Sequence, residues 1–120
     1  MYKVLITGGT KGIGLAISDT LRNLGYQMFV VARGEDASVR CDVTVRSQVE
    51  ELRKQIGEVD ILVNNAGGAR TAPFLKTTEA DWDWHFALNV KSIFYCTQAF
   101  LPSMLEKKWG RIINVGLHRR

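Results

Sequence analysis

Val4-Leu5-Ile6-Thr7-Gly8-Gly9-Thr10-Lys11-Gly12-Ile13-Gly14-Leu15-Ala16-Ile17 passes from an apolar run through a glycine-rich turn into an amphipathic stretch, the pattern of strand, loop and helix. Gly8, Gly12 and Gly14 carry no Cβ, so the turn can be tight, the backbone can come close to a pyrophosphate, and the new helix can lie flush on a sheet. The free N–H groups at the start of that helix, at the positive end of its dipole, favour an anion. The spacing Gly-x-x-x-Gly-x-Gly differs from the Gly-x-Gly-x-x-Gly of the usual dinucleotide fingerprint. A strand-to-helix turn with no ligand would use the same letters, so the weight falls on the rest of the chain.

Working outward, residues 3–7 are a short continuous apolar run of the kind found in a parallel sheet covered on both faces. Ile13, Ala16, Ile17, Leu21 and Leu24 recur at spacings of three and four and predict one buried helical face, ended by Gly25 in the left-handed conformation. Met28–Ala32 forms a second strand, closed by Ala32 and Arg33, which stand 18 and 19 residues beyond Gly14. A dinucleotide fold reads the ribose near there. An acidic side chain would take the 2′-hydroxyl of NAD, whereas a small residue followed by Arg leaves space and charge for a 2′-phosphate. Lys11 adds a second cation, so NADP(H) is expected over NAD(H), against a plain solvated charge at Arg33.

Between Gly34 and Arg40 there is too little chain for a crossover helix, so a third strand near Val39–Cys41 has to be reached by a tight or irregular link. Asp42 follows it, and its carboxylate can accept from an adenine amino group or take part in helix capping around Thr44. Thr44 is expected to cap a helix bearing Val45, Val49, Leu52 and Ile56, ended by Gly57. Asp60–Val63 is a fourth strand, and Asn64-Asn65-Ala66-Gly67-Gly68 breaks it with small and amide residues that suit a ligand lying along the backbone, or an ordinary turn. After a loop over 69–77, Thr78 and Asp81 resemble a capping box.

One long helical stretch is expected from Glu79 to about Lys107, with Trp82, Phe86, Val90, Ile93, Thr97, Phe100 and Met104 on one face and a kink or split at Pro102. Asn89 interrupts that apolar stripe and needs a partner or a ligand. Arg111–Val115 is the fifth strand.

The composition is that of an α/β protein, with no repeat and no apolar run long enough to span a membrane. The N-terminus enters a strand directly and shows no secretory leader, so a cytoplasmic protein is expected. Cys41 and Cys96 lack metal-ligand spacing and suit free thiols, and no metal site is expected. A net charge of +4, with no basic stripe or aromatic platform, argues against nucleic acid as a partner.

Taken together, Thr7-Gly8-Gly9-Thr10-Lys11-Gly12-Ile13-Gly14, Cys41-Asp42-Val43, Asn64-Asn65-Ala66-Gly67, Asn89-Val90 and Gly110-Arg111-Ile112-Ile113-Asn114-Val115 resemble the short-chain dehydrogenase/reductase family, in the family's order. Among its members the likeness is to NADP-dependent ones such as 3-oxoacyl-ACP reductases. The resemblance implies a Rossmann-like, doubly wound parallel sheet in the order 3-2-1-4-5 and a nicotinamide dinucleotide. It assigns Gly8, Gly9, Thr10, Lys11, Gly12, Ile13 and Gly14 to the pyrophosphate loop, Cys41, Asp42 and Val43 to the adenine contact, and Asn64, Ala66 and Gly67 to the central-strand motif. Lys11 and Arg33 match the basic pair of NADP-using members, and Asn89 matches the catalytic Asn that holds a water in the proton relay.

The family's Ser after the fifth strand would fall at position 117, where Leu117 stands, and Tyr-x-x-x-Lys occurs nowhere in the 120 residues. In that pair the Lys lowers the Tyr pKa so that it can act as general acid near neutral pH. Tyr2, Tyr26, Tyr95 and His85 take no catalytic role in this reading. One inserted base in codons for Ser-Ile-Ala-Gly, a common continuation, gives Leu-His-Arg-Arg, the residues at 117–120. The expectation is therefore a single, partial NADP-binding domain, an oxidoreductase truncated by a frameshift and inactive alone. A naturally short product is the rival explanation. The non-enzymatic alternative is a dinucleotide-binding or interaction module, with a homo-oligomer formed through the long helix 79–107 or an exposed sheet edge.

Overall fold

The computed structural model describes residues 1–68 and 72–116. The expectations for Leu117 to Arg120, and for residues 69–71 of the loop, lie outside the described residues. Strands and helices follow in the order β1 (Lys3–Thr7), α1 (Gly12–Asn23), β2 (Gln27–Ala32), β3 (Val39–Arg40), α2 (Arg46–Ile56), β4 (Ile61–Asn64), α3 (Glu79–Phe86), a π turn (Ala87–Lys91), α4 (Ser92–Glu106) and β5 (Arg111–Asn114), with helices between all successive strands but β2 and β3. The sheet is wholly parallel in the order β3-β2-β1-β4-β5. This is the Rossmann-like arrangement expected.

The strands are apolar on both sides because both sides are covered. Leu5, Val31 and Leu62 face a core with Val49, Leu52 and Ile56 of α2 and Cys96, Phe100 and Met104 of α4. Val4, Ile6, Val30 and Val63 point the other way, against Ile17 and Leu21 of α1. Every helix therefore returns the chain to the same end of the sheet, and the strand C-termini gather at the other.

The link from β2 to β3 has no helix. β3 pairs only with the last two residues of β2, Val31 with Val39 and Ala32 with Arg40, so the chain steps back a short way instead of the whole strand length. Ser38 holds the step, its amide donating to the Val30 carbonyl at 2.8 Å and its Oγ accepting from the Val30 amide at 3.1 Å.

Three expectations are corrected. The inner face of α1 is narrower than its apolar spacing suggests: Gly14, Ile17, Ser18 and Leu21 face the sheet, while Ile13 and Leu24 are 57% and 68% exposed. Small residues let the helix lie close and turn the larger apolar ones outward. Thr44 does not cap α2, since the helix starts at Arg46 behind Val45 with no side-chain cap, and Thr44 is engaged by Asp42 instead.

The stretch from Glu79 to Lys107 is not one α-helix. The π turn at Ala87–Lys91 divides it, whereas Pro102 lies inside α4. The extra residue in that turn rotates α4 out of the 3.6-residue register set by α3. Trp82, Phe86 and Val90 are thus exposed, and the buried line of α4 is Ser92, Cys96, Phe100, Ser103 and Met104. The capping box at Thr78 and Asp81 forms as expected.

Candidate functional site

At the C-terminal edge of the sheet, β1 and β4 end side by side in polar residues. Thr7 closes an apolar strand with a hydroxyl that is 2% exposed, and a buried oxygen needs partners. Its Oγ1 accepts from the amides of Asn65 at 3.1 Å and Ala66 at 2.9 Å, fixing the loop after β4 against the start of the glycine loop. Asn65 Nδ2 returns a bond to the Gly8 carbonyl at 3.0 Å, and the Gly8 amide donates to Val31 O of β2 at 2.8 Å. Buried Asn64 ties β4 to β5 through its Nδ2 and Asn114 Oδ1 at 2.9 Å. Four strand ends are thereby set in one fixed edge.

Two glycines of the loop are required by geometry. Gly8 turns at φ +68°, and a Cβ there would lie 3.0 Å from the Ala66 backbone. A Cβ on Gly14 would stand 2.5 Å from the Gly8 carbonyl oxygen and run into the Asn65 amide. Absence of side chains thus closes the loop onto Asn65 and Ala66, and α1 departs directly from it. Its first amides, of Gly12, Ile13 and Gly14, donate to no acceptor among the described residues. Lys11 at the N-cap gives no side-chain cap, and the first turn has no acidic residue. Gly12, at φ +55°, has open space where a Cβ would be. An anion fits there by the donor set alone.

The remaining predicted residues surround this point unevenly. Ala66 and Gly67 line the loop after β4. Asn89 sits in the π turn, its Oδ1 accepting from the Gly68 amide at 3.1 Å and its Nδ2 donating to the Gly68 carbonyl at 3.0 Å. The Asn that broke the apolar stripe therefore pins the π turn to the β4 loop, with its Oδ1 2.8 Å from where a Cβ on Gly67 would be. The side chains of Cys41 and Val43 belong to the core, which leaves only their backbone for the edge. Burial, with the charge of Asp42 beside it, pushes the Cys41 thiol up to about 11, and burial followed by Cys41 pushes Cys96 to about 12. Both are protonated and inert as nucleophiles near neutral pH.

Asp42 forms a local turn, its Oδ1 accepting from Thr44 N at 3.0 Å and Thr44 Oγ1 at 2.6 Å, while its own amide donates to Gln48 Oε1 at 2.8 Å. Lys11 and Arg33 are exposed, and no hydrogen bond among the described residues joins Arg33 or Asp42 to the glycine loop. Sequence reasoning does not single out Thr7, Asn65 and Asn114 as site residues. A polar residue ending an apolar strand is the signal that marks Thr7 and Asn114, and Asn65 stands one position beyond the end of β4.

Among the described residues no group of three or more His, Cys, Asp or Glu side chains could hold a metal ion, and no helix is long and apolar enough to cross a membrane. A groove of about 620 Å³ runs beside β5 and α4, lined by Val90, Ile93, Phe94, Leu101, Leu105 and Ile112 among others. It is apolar and lies away from the glycine loop.

Comparison with known proteins gives a consistent result. The profile of the family described as short chain dehydrogenase matches residues 2–117. The 3-oxoacyl-(acyl-carrier-protein) reductase FabG of Escherichia coli (strain K12) is 32% identical over 129 aligned positions, covering 93% of this chain and 53% of that protein. The 3-oxoacyl-(acyl-carrier-protein) reductase MabA of Mycobacterium avium is 37% identical over 122 positions, covering 94% of this chain and 48% of that protein. Among solved structures, the serine dehydrogenase from Escherichia coli superposes with a TM-score of 0.88 at 32% identity, over 95% of this chain and 61% of that one. The chain spans about half the length of the curated relatives it matches.

Proposed function

The chain belongs to the short-chain dehydrogenase family, and from that premise we propose that residues 1–120 form the NADP(H)-binding part, a single partial domain, of an oxidoreductase that interconverts carbonyl and alcohol groups. The observation that carries this is the uncapped start of α1, where the amides of Gly12, Ile13 and Gly14 face no protein acceptor beside a loop closed by Gly8 and Gly14. Those amides hold the diphosphate, with Gly9 and Thr10 shaping the approach. Asn64, Ala66 and Gly67 form the wall along which the rest of the dinucleotide lies, and the Cys41 and Val43 backbone with Asp42 receives the adenine. Lys11 and Arg33 supply charge for a 2′-phosphate. The chemistry such a cofactor supplies is hydride exchange between its nicotinamide ring and a carbonyl or alcohol carbon.

Asn89 occupies the family's relay position. With both amide atoms held by Gly68, it fixes the floor beside the central strand. No Tyr-x-x-x-Lys occurs in the sequence, so a proton donor of that kind has to come from outside residues 1–120, and we expect no turnover by these residues alone. The names of the reductase relatives make 3-oxoacyl thioesters the first carbonyl compounds to try.

Calorimetric titration of the protein with NADP+ and NAD+ tests the reading. Saturable binding, about tenfold or more tighter for NADP+, is expected from the two added cations. Absence of binding by either nucleotide would overturn it.

The apolar groove favours a second reading, a non-catalytic module that pairs with a second copy of itself through α4 and the β5 edge. A concentration-independent dimer with no ketone reduction, even when the other half of a relative is supplied, would favour it over the enzyme.

A further inference from the structure

We propose that Arg40 is a second guanidinium for the 2′-phosphate of the nucleotide and so a determinant of the preference for NADP(H); the inference rests on the dinucleotide reading above. Sequence spacing points to Arg33 and Lys11. Arg40 comes into view only through the unusual link between β2 and β3.

With no crossover helix, β3 begins opposite Val31, and its register sets Arg40 beside Ala32. Residues paired across parallel strands point to the same face, and faces alternate along a strand. Val30 packs with Val4 and Ile6 on the α1 side, so Ala32 and Arg40 belong to that side as well. The glycine loop lies there too, since a Cβ on Gly9 would meet Val30 and Ile6 side chains at 2.9 Å. Val39 and Cys41, on either side of Arg40, pack on the opposite core and leave Arg40 as the exposed residue of the strand.

The side chain is also partly held. Arg40 Nε donates to the Arg33 carbonyl at 3.3 Å, bringing the guanidinium to the end of β2 where Arg33 stands. A guanidinium has five N–H donors, so this one bond leaves four, and those on the Nη atoms have no acceptor among the described residues. Planar forks of this kind recognise phosphate oxygens in pairs. Glu35 and Asp36 lie in the same link, yet neither forms an ion pair with Arg33 or Arg40 among the described residues. With two guanidinium groups and two carboxylates the link is close to neutral as a whole, and directed donors discriminate a phosphate from a hydroxyl better than its net charge does. A charge that merely guards an edge strand would act on neither nucleotide.

The test is equilibrium titration of the whole chain with NADP+, NAD+, adenosine 2′,5′-bisphosphate and AMP, for the wild type, Arg40→Ala, Arg40→Lys and Arg33→Ala, with thermal unfolding of each variant. Loss of charged hydrogen bonds predicts that Arg40→Ala weakens NADP+ and the bisphosphate by about tenfold, with NAD+ and AMP unchanged. Arg40→Lys, which keeps the charge and loses the fork, should fall between. An unchanged ratio of NAD+ to NADP+ affinity in Arg40→Ala, beside a wild type that binds NADP+, would overturn the inference and leave the dinucleotide reading standing. Equal weakening of all four ligands would overturn it too, by showing that Arg40 supports only the loop. A wild type that binds none of them would remove the underlying reading as well.

Discussion

The two ends of the sheet are built from different residues, charged and aromatic at one and amide, hydroxyl and glycine at the other, and treat their polar groups in opposite ways. At the N-terminal edge of the strands, charged and aromatic side chains answer one another across the sheet. Asp60 accepts from the Lys3 amide at 2.8 Å and from Lys107 Nζ at 2.7 Å, and Lys3 Nζ donates to the Ile56 carbonyl. Tyr2 stacks on Trp109 with ring centroids 4.7 Å apart, Tyr26 meets Tyr2 edge-on, and the Arg111 guanidinium lies over the Trp109 ring. At the C-terminal edge, Thr7, Asn64, Asn65 and Asn89 use their hydrogen bonds to hold the frame together, and the start of α1 is left with donors that no described residue uses. One edge is finished and the other is prepared. At the C-terminal edge side chains brace the frame and backbone donors are left over, which is the basis of the proposed anion site.

The sharpest way to break this contrast is at its glycines. Gly14→Ala places a Cβ 2.5 Å from the Gly8 carbonyl, against backbone that cannot yield without moving the loop. It should destabilise the protein by about 2–3 kcal/mol and abolish nucleotide binding. Gly25→Ala, at the finished edge, meets no atom within 4 Å but must adopt φ +92°. It should lose about 1–2 kcal/mol from backbone strain and leave binding unchanged. Urea denaturation and NADP+ titration of the two variants separate strain from site. Equal effects on binding would remove the distinction between the edges.

A smaller effect is expected from Thr7→Val, which keeps the shape and deletes the acceptor of two amides. Leaving the Asn65 and Ala66 N–H groups without Thr7 Oγ1 should lower stability by about 2 kcal/mol and weaken nucleotide binding through the displaced β4 loop. Full-strength binding in that variant would show that the loop needs no brace.

The smallest effect belongs to Asp60. Burial alone would raise its pKa, but the Lys107 hydrogen bond, the Lys3 amide and the charges of Lys107 and the N-terminus outweigh it, and the carboxyl sits below its ordinary value. A folded-state pKa lower than the unfolded one gives stabilisation that is present above about pH 4 and is lost as pH falls through the folded value. Asp60→Asn should reduce stability by about 1 kcal/mol at pH 7, flatten the acid limb of the stability curve, and leave nucleotide affinity alone. Unfolding midpoints between pH 3 and 7 check it, and an unchanged acid limb would count against the clasp.

Much of this architecture is legible in the sequence because the strands are continuous apolar runs and the turns carry glycine. Gly25 and Gly57 end their helices at φ +92° and +73°, the short link to β3 is evident from its length, and the capping box at Thr78 forms. Periodicity misleads where small polar residues are buried. Ser18, Ser92 and Ser103 occupy core positions that a hydrophobic stripe does not mark. A π turn changes the register at Asn89, and no hydropathy pattern announces it. The glycine loop and the Asn64–Gly67 wall can be named from their letters. The braces Thr7, Asn65 and Asn114 find their partners only where β1, β4 and β5 end together, since those bonds cross about fifty residues of chain.

Nucleotide binding at the start of α1 can be followed through the backbone amide resonances of the 15N-labelled protein as NADP+ is added, with the Trp109 indole as an internal reference at the far edge. Saturable shifts are expected at Gly12, Ile13 and Gly14 and none at Trp109. Shifts centred on Trp109 and Tyr2, or no shift in the glycine loop at saturating nucleotide, would contradict it.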